Sequence, residues 1–263
     1  ICAPGTSSDD DGDSVTYTYD WSRNGNLLGL NATTLDGSMF EKNDSIQCLI
    51  TPNDGDEDGA QVSSATVVIS NTAPVVSTVE INPTNPTEDS TLSCNVVSSS
   101  DDDNDTITYS YSWSVDGTSI AATGQTINGQ DFNRGQNVTC TVIPNDGTED
   151  GAALTSAAVT IENTVPVLVG VSLTPTNAYE ASTLTCTPGS ATDSDGDTVA
   201  FTYAWEVNGS VISVTAETLD GTYFDKGSNV ACIITPNDGI DDGANVSSAL
   251  LTISNTPPSV RCC

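Results

Sequence analysis

Carboxylates in close alternation are the residues of this sequence best suited to chemistry: Asp9, Asp11 and Asp13, then Asp101, Asp103 and Asp105, then Asp193, Asp195 and Asp197. Aspartates at alternate positions around a Gly or Asn aim several hard oxygens at one point, which is what a calcium loop requires. The loops are not EF-hands. The sixth position is Ser14, Thr106 or Thr198 instead of Gly, and no Glu occupies the twelfth. A second acidic set follows each Pro-Asn-Asp-Gly: Asp54 and Asp58, Asp146 and Asp150, Asp238 and Asp242. Histidine is absent, which excludes His-based triads and most catalytic zinc sites. A carboxylate-pair hydrolase needs an isolated pair, whereas these acids recur identically three times, so the sequence reads as a non-enzyme.

The elements that must position these loops are marked by a repeated frame. Cys2, Trp21 and Cys48 return as Cys94, Trp113 and Cys140 and again as Cys186, Trp205 and Cys232, with a constant offset of 92 residues. A fixed period of this kind denotes a tandem array. A Cys on one strand, a Trp on the next and a Cys on a later strand frame an immunoglobulin-like sandwich, in which a disulfide ties two sheets and the indole packs on it. The expected fold is therefore all-β, with three tandem sandwiches in a rod. The expected disulfides are Cys2–Cys48, Cys94–Cys140 and Cys186–Cys232, and the three tryptophans are core residues, not sugar-stacking platforms.

In the third repeat, alternation places strands at Val167 to Thr174, Ala181 to Thr187, Thr198 to Val207, Ser210 to Thr215, Asn229 to Thr235 and Asn245 to Ser254. The linkers Asn71-Thr72-Ala73-Pro74, Asn163-Thr164-Val165-Pro166 and Asn255-Thr256-Pro257-Pro258 are short and end in proline, which favours a stiff rod. The boundaries follow: domain 1 over 1–72, domain 2 over 73–164, domain 3 over 165–256 and a tail over 257–263. In this fold the two acidic loops lie at one pole, where the chain enters from the preceding domain. Two like charges about 4 Å apart repel by roughly 1 kcal/mol in water and about 4 kcal/mol at an effective dielectric of 20. Neither loop of the first repeat holds a Lys or Arg, so the crowding asks for a cation, and Ca2+ at the domain junction would supply it. Solvated acidic turns are the other reading of the same residues. Asn104 replaces Gly12 and Gly196, so the second loop is expected to be held differently and to bind more weakly.

Five Lys and Arg stand against 36 Asp and Glu, a net charge of -31 that excludes nucleic acid as a partner. No apolar run is long enough to span a bilayer, so membrane insertion is not expected. Six cysteines in register imply an oxidising, extracellular or cell-surface setting. Asn31, Asn43, Asn104, Asn137, Asn208 and Asn245 begin N-x-Ser/Thr sequons and are candidate glycan sites, although no two share a phase.

The Cys/Trp/Cys frame, the acidic stretches Asp9 to Asp13 and Asp193 to Asp197, and Pro-Asn-Asp-Gly at 52–55, 144–147 and 236–239 together resemble the tandem bacterial Ig-like and PKD-like repeats of large extracellular proteins. The resemblance covers all three repeats and implies a cell-surface stalk, adhesin or fibre subunit. About twenty residues precede the first Cys in repeats two and three, but only Ile1 in repeat one, so domain 1 is expected to lack its first strand. The tail runs on at the phase of a first strand. These features suggest a fibre or pilus-like filament, a head-to-tail homopolymer in which the tail of one copy completes domain 1 of the next. Cys262 and Cys263 are the interchain disulfide candidates. The alternative is the stalk or binding module of a larger adhesin.

Overall fold

The computed structural model describes residues 1–258. Cys262, Cys263 and most of the tail fall outside that range. Repeat 1 carries β1 (Thr16–Arg23), β2 (Asn26–Leu27), a 3-10 turn (Gly37–Met39), β3 (Ser45–Asn53), β4 (Val62–Ser63) and β5 (Val67–Val68). Repeat 2 carries β6 (Val75–Asn82), β7 (Thr91–Ser100), β8 (Thr108–Val115), β9 (Thr118–Ser119), β10 (Thr126–Asn128), β11 (Asn137–Asn145), β12 (Leu154–Thr155) and β13 (Val159–Thr160). Repeat 3 carries β14 (Val167–Thr174), β15 (Leu184–Thr192), β16 (Ala200–Val207), β17 (Ser210–Ile212), β18 (Thr218–Leu219), β19 (Asn229–Asn237), β20 (Val246–Ser247) and β21 (Leu251–Thr252).

Strict alternation drives the long strands. In β11 the residues Val138, Cys140 and Val142 face inward and are buried while their neighbours are at least partly exposed. Asn208 and Gly209, both at positive φ (51° and 80°), make the two-residue turn that returns β16 into β17, as the Asn-Gly pair predicts. Repeat 3 has a three-stranded sheet in the order β14-β15-β18 and a larger one in the order β17-β16-β19-β20, with β21 also on β19. Leu173 lies opposite Cys186 in the first sheet, and Trp205 lies opposite Cys232 in the second. The Cys186–Cys232 bond joins the sheets, and Leu168, Leu184, Leu219, Val230, Ile234 and Ile253 fill the space around it and Trp205. The architecture is that of an immunoglobulin-like sandwich. Repeat 2 repeats both sheets, as β10-β7-β6 and β12-β11-β8-β9 with β13 on β11.

Contacts divide the chain into two compact units. The first comprises Ile1–Val79, Val96–Ser110 and Thr141–Leu154, and so holds repeat 1 together with the acidic loops of repeat 2. The second comprises Glu80–Asn95, Tyr111–Cys140 and Thr155–Cys263, and so holds the Cys94–Cys140 bond, Trp113 and the third repeat.

Two expectations change. The strand expected over Asn245 to Ser254 is broken into β20 and β21. Ser247 lies opposite Ile233 but Leu251 lies opposite Val230, so the outer strand carries one residue too many. Ser248 absorbs it: its N–H donates to the Cys232 carbonyl at 2.9 Å, and its Oγ accepts the Cys232 N–H at 3.1 Å. The strand through Cys186 starts later and ends later than its pattern suggests, at Leu184–Thr192, because it stays paired with β14 as far as Val167.

Repeat 1 differs from the others more than by one strand. Among the described residues it has a single sheet, ordered β2-β1-β3-β4 with β5 on β3, and no counterpart of the three-stranded sheet. Cys2 is still bonded to Cys48, and its N–H still donates to Thr33 at 2.7 Å, as Cys94 does to Gln125 and Cys186 to Glu217. Where the second sheet lies in the other repeats there is a groove of about 910 Å³, lined by Trp21, Leu35, Phe40, Ile46, Cys48 and Ile50.

Candidate functional site

Each acidic loop is built on its first aspartate. One carboxylate oxygen of Asp101 accepts the N–H groups of Asp103 and Asp105 at 2.9 and 3.1 Å. Asp193 does the same for Asp195 and Asp197 at 3.0 and 3.1 Å, and Asp9 for Asp11 and Asp13 at 3.0 and 3.1 Å. The residue between them must adopt a left-handed backbone: φ is 87° at Gly12, 78° at Gly196 and 61° at Asn104. Asparagine tolerates that region better than other side chains, so the second loop is held like the first and third. The expectation that it would be held differently is corrected.

Three carboxylates from each of the second and third loops converge. Oxygens of Asp101, Asp103 and Asp105 lie within 4.8 Å of one another, as do those of Asp193, Asp195 and Asp197. The second oxygens of Asp101 and Asp193 are buried and accept no hydrogen bond. A desolvated, unpaired carboxylate oxygen is costly, and a hard cation would satisfy it.

The second acidic set splits in two. Asp54, Asp146 and Asp238 fold their own turns by accepting N–H groups, Asp146 from Thr148 and Glu149 at 2.6 and 2.8 Å. Asp58, Asp150 and Asp242 instead accept the side-chain amides of Asn53, Asn145 and Asn237 at 2.9, 2.8 and 2.8 Å. These three brace their own turns and do not join the clusters around Asp103 and Asp195.

The linker enters between the two loops. The Asn71 amide donates to Asp146 at 2.7 Å and to Glu149 at 2.9 Å, and the Thr72 N–H donates to Asp103 at 2.6 Å. One period later Asn163 donates to Asp238 and Asp241 at 2.8 and 3.1 Å, and the Thr164 N–H donates to Asp195 at 2.7 Å. The Asn71 amide pulls the Asp146 carboxyl down to about 2, with help from the N–H groups of Glu149 and Thr148. Asn163 lowers Asp238 in the same way. The carbonyl of Pro74 lies so near Gly151 that a Cβ there would sit 1.8 Å from it, and the carbonyl of Pro166 stands at 2.0 Å from the equivalent point on Gly243.

The compensating charge comes from a residue that loop composition alone does not reveal. Lys42 pairs with Asp105, and its Nζ donates to Asn71 Oδ1 at 2.9 Å. Arg134 pairs with Asp197, reaches Asp195 at 3.3 Å and donates to Asn163 at 2.7 Å. Each basic group is held in its charged form, Lys42 chiefly by Asp105 and Arg134 chiefly by Asp197. The signal was present in the phase: Lys42, Arg134 and Lys226 are separated by 92 residues, so three of the five basic residues occupy one position of the repeat.

The remaining candidates are placed simply. Trp21, Trp113 and Trp205 are core residues at 5, 1 and 0% exposure, and each indole N–H donates to a backbone carbonyl, that of Ala32, Gly124 or Ala216. Asn31, Asn43, Asn104, Asn137, Asn208 and Asn245 are all exposed. No described helix is long and apolar enough to cross a membrane.

No protein-family model matches the sequence. No curated protein matches it either. Among solved structures the chain is similar to three N-terminal domains of the bacteriophage RB49 Highly Immunogenic Outer Capsid protein, at 19% identity over 95% of this chain and 92% of that one, with a TM-score of 0.31. It is also similar to the N-terminal eight Ig domains of Down Syndrome Cell Adhesion Molecule, at 14% identity and a TM-score of 0.37, covering 92% of this chain and 35% of that one. A third similarity is to extracellular domains 3–5 of Drosophila OTK, at 11% identity over 94% of this chain and 88% of that one, with a TM-score of 0.32.

Proposed function

We propose that the chain is a non-catalytic extracellular spacer: three immunoglobulin-like domains, over 1–72, 73–164 and 165–256, each fixed to the next by a polar junction that also holds calcium. One observation carries this reading. Equivalent residues make equivalent contacts at both junctions, from Lys42, Asn71 and Thr72 to the second repeat and from Arg134, Asn163 and Thr164 to the third. A chain that needed only flexible tethering would not require a matched latch at each joint. Three disulfides suit an oxidising compartment.

Calcium would be held by Asp101, Asp103 and Asp105 and by Asp193, Asp195 and Asp197, where the buried oxygens of Asp101 and Asp193 lack a partner. Lys42 and Arg134 supply one positive charge to each group, so the ion would share the compensation with them. Thermal melts in calcium and in chelator test this. Calcium at about a hundred times its dissociation constant should stabilise the folded chain by about 2.7 kcal/mol. Asp101→Asn keeps an oxygen for the two loop N–H groups but removes the buried charge, so it should stabilise the chain in chelator and abolish part of the calcium shift. Identical midpoints with and without calcium would remove the ion from the proposal.

A further inference from the structure

Each junction seats a plug from the leading repeat, Lys42 or Arg134 with the linker that follows it, in a socket of carboxylates on the next, and the two sockets are not filled equally. Among the described residues, Lys42 pairs with Asp105 alone of its cluster and spends another N–H on Asn71 Oδ1 at 2.9 Å. Arg134 pairs with two carboxylates, Asp197 and Asp195, the latter at 3.3 Å. The Asp195 side chain is 1% exposed, so water screens that contact poorly. The root of the arginine is fixed as well: its backbone N–H donates to Glu88 at 2.6 Å, and its Nη1 donates to Asn163 at 2.7 Å.

Neither basic group completes its cluster. With Lys42 and Arg134 in place, one oxygen of Asp101 and one of Asp193 remain buried without a hydrogen-bond partner. A buried carboxylate oxygen left in that state calls for a ligand that brings positive charge to it. The carboxylates around each supply oxygens within 4.8 Å of one another, a spacing that one calcium ion can bridge. To gather all three, the ion must take one carboxylate from Lys42 at the first junction but two from Arg134 at the second. Arginine is also the harder rival: its planar fork is pre-organised for carboxylates, whereas lysine is a point charge on a flexible stem.

Resting on the calcium reading above, we infer that Lys42 and Arg134 are tethered competitors that set calcium affinity, so that the cluster of Asp101, Asp103 and Asp105 fills at lower calcium than that of Asp193, Asp195 and Asp197. This order is the reverse of the one that Asn104 suggests in the sequence. The two joints then respond to calcium over different concentration ranges.

Equilibrium dialysis of the full chain against radioactive calcium tests the competition. Wild type should show a tighter class of site that is lost in Asp101→Asn and a weaker one that is lost in Asp193→Asn. Arg134→Met keeps an apolar stem and the backbone bond to Glu88 but removes the charge, and should tighten the weaker class at least about tenfold. Lys42→Met should tighten the other class by about fivefold. If these side chains served only to support the joint, their loss would act in the opposite direction, because a loosened linker withdraws the Thr164 N–H from Asp195 or the Thr72 N–H from Asp103. Cooperative melting in chelator shows that each variant is folded. Unchanged or weaker binding at the affected junction in either methionine variant, or tighter binding by the third-repeat cluster in wild type, would overturn the inference and leave the calcium reading standing. Absence of bound calcium in wild type and in both methionine variants would remove the calcium reading itself.

Discussion

Trp205→Ala is expected to cost about 3 to 5 kcal/mol of unfolding free energy in repeat 3, measured by urea unfolding with the disulfide intact. The indole is fully buried, lies opposite Cys232 across the ladder, and donates its N–H to Ala216 at 2.8 Å. Removing it leaves a cavity between two sheets that a disulfide prevents from collapsing, and it orphans a carbonyl. Trp21→Ala provides the internal control. Trp21 occupies the same phase and is 5% exposed, but one side of its environment is the open groove, so much of the space it would vacate already adjoins solvent. Its loss should cost about 2 kcal/mol, the transfer contribution without the sealed cavity. Equal losses at the two positions would contradict the one-sheet description of repeat 1.

The second large effect is expected at the junction glycines. Gly243→Val must drive a Cβ into the Pro166 carbonyl, 2.0 Å away, with Pro236 Cγ at 2.9 Å on the other side. Neither atom is the end of a flexible chain, so the linker has to move, and with it Asn163 and Thr164. A loss of about 2 to 4 kcal/mol is expected, concentrated in the coupling between repeats 2 and 3. The diagnostic reading is the titration of Asp238 by NMR. Its carboxyl is held below the ordinary range first by Asn163, so in the variant it should rise toward the ordinary value. The sign for stability follows: a depressed carboxyl stabilises the folded chain above the unfolded-state value, near 3.9, and that contribution disappears as the pH falls through the folded value. The variant should therefore lose less stability on acidification than wild type. Gly59→Val makes the comparison clean, because only its own Pro52 lies near. If 59 and 243 proved equally sensitive, linker packing would not be the reason for glycine at 243.

The frame and the long strands were legible because both rest on local regularity. Period-2 burial marks β11, and an Asn-Gly pair marks the turn into β17. The bulge at Ser248 was not legible, since Val246, Ser248 and Leu250 continue one alternation along the sequence, whereas after the surplus residue Leu250 is exposed and Ile253 is buried. The acidic loops were legible as clusters, and Asp101, Asp103 and Asp105 do converge. The bracing role of Asp58, Asp150 and Asp242 was hidden because the same Pro-Asn-Asp-Gly motif supplies both the acid and the asparagine that holds it. Lys42 and Arg134 were missed for a different reason. Each lies about sixty residues upstream of the carboxylates it neutralises, in a turn of the preceding repeat, so composition within a loop says nothing of them. Glycine and asparagine at position 12 of the repeat proved interchangeable because the turn demands a backbone conformation and not a side chain.

The matched junctions also make the length of the array a free variable. Excising residues 73–164 would bring Lys42, Asn71 and Thr72 onto Asp193, Asp195, Asp197, Asp238 and Asp241, the same chemical types at the same spacing that they meet now, apart from aspartate in place of Glu149. Any duplication or deletion of a whole 92-residue unit thus regenerates a working joint at the point of recombination, with no compensating change elsewhere. A single inserted residue, by contrast, would put a plug out of step with its socket. The interlocking contacts therefore act as a reading frame for the fold: they let genetic change lengthen or shorten the chain by repeats while penalising every other increment.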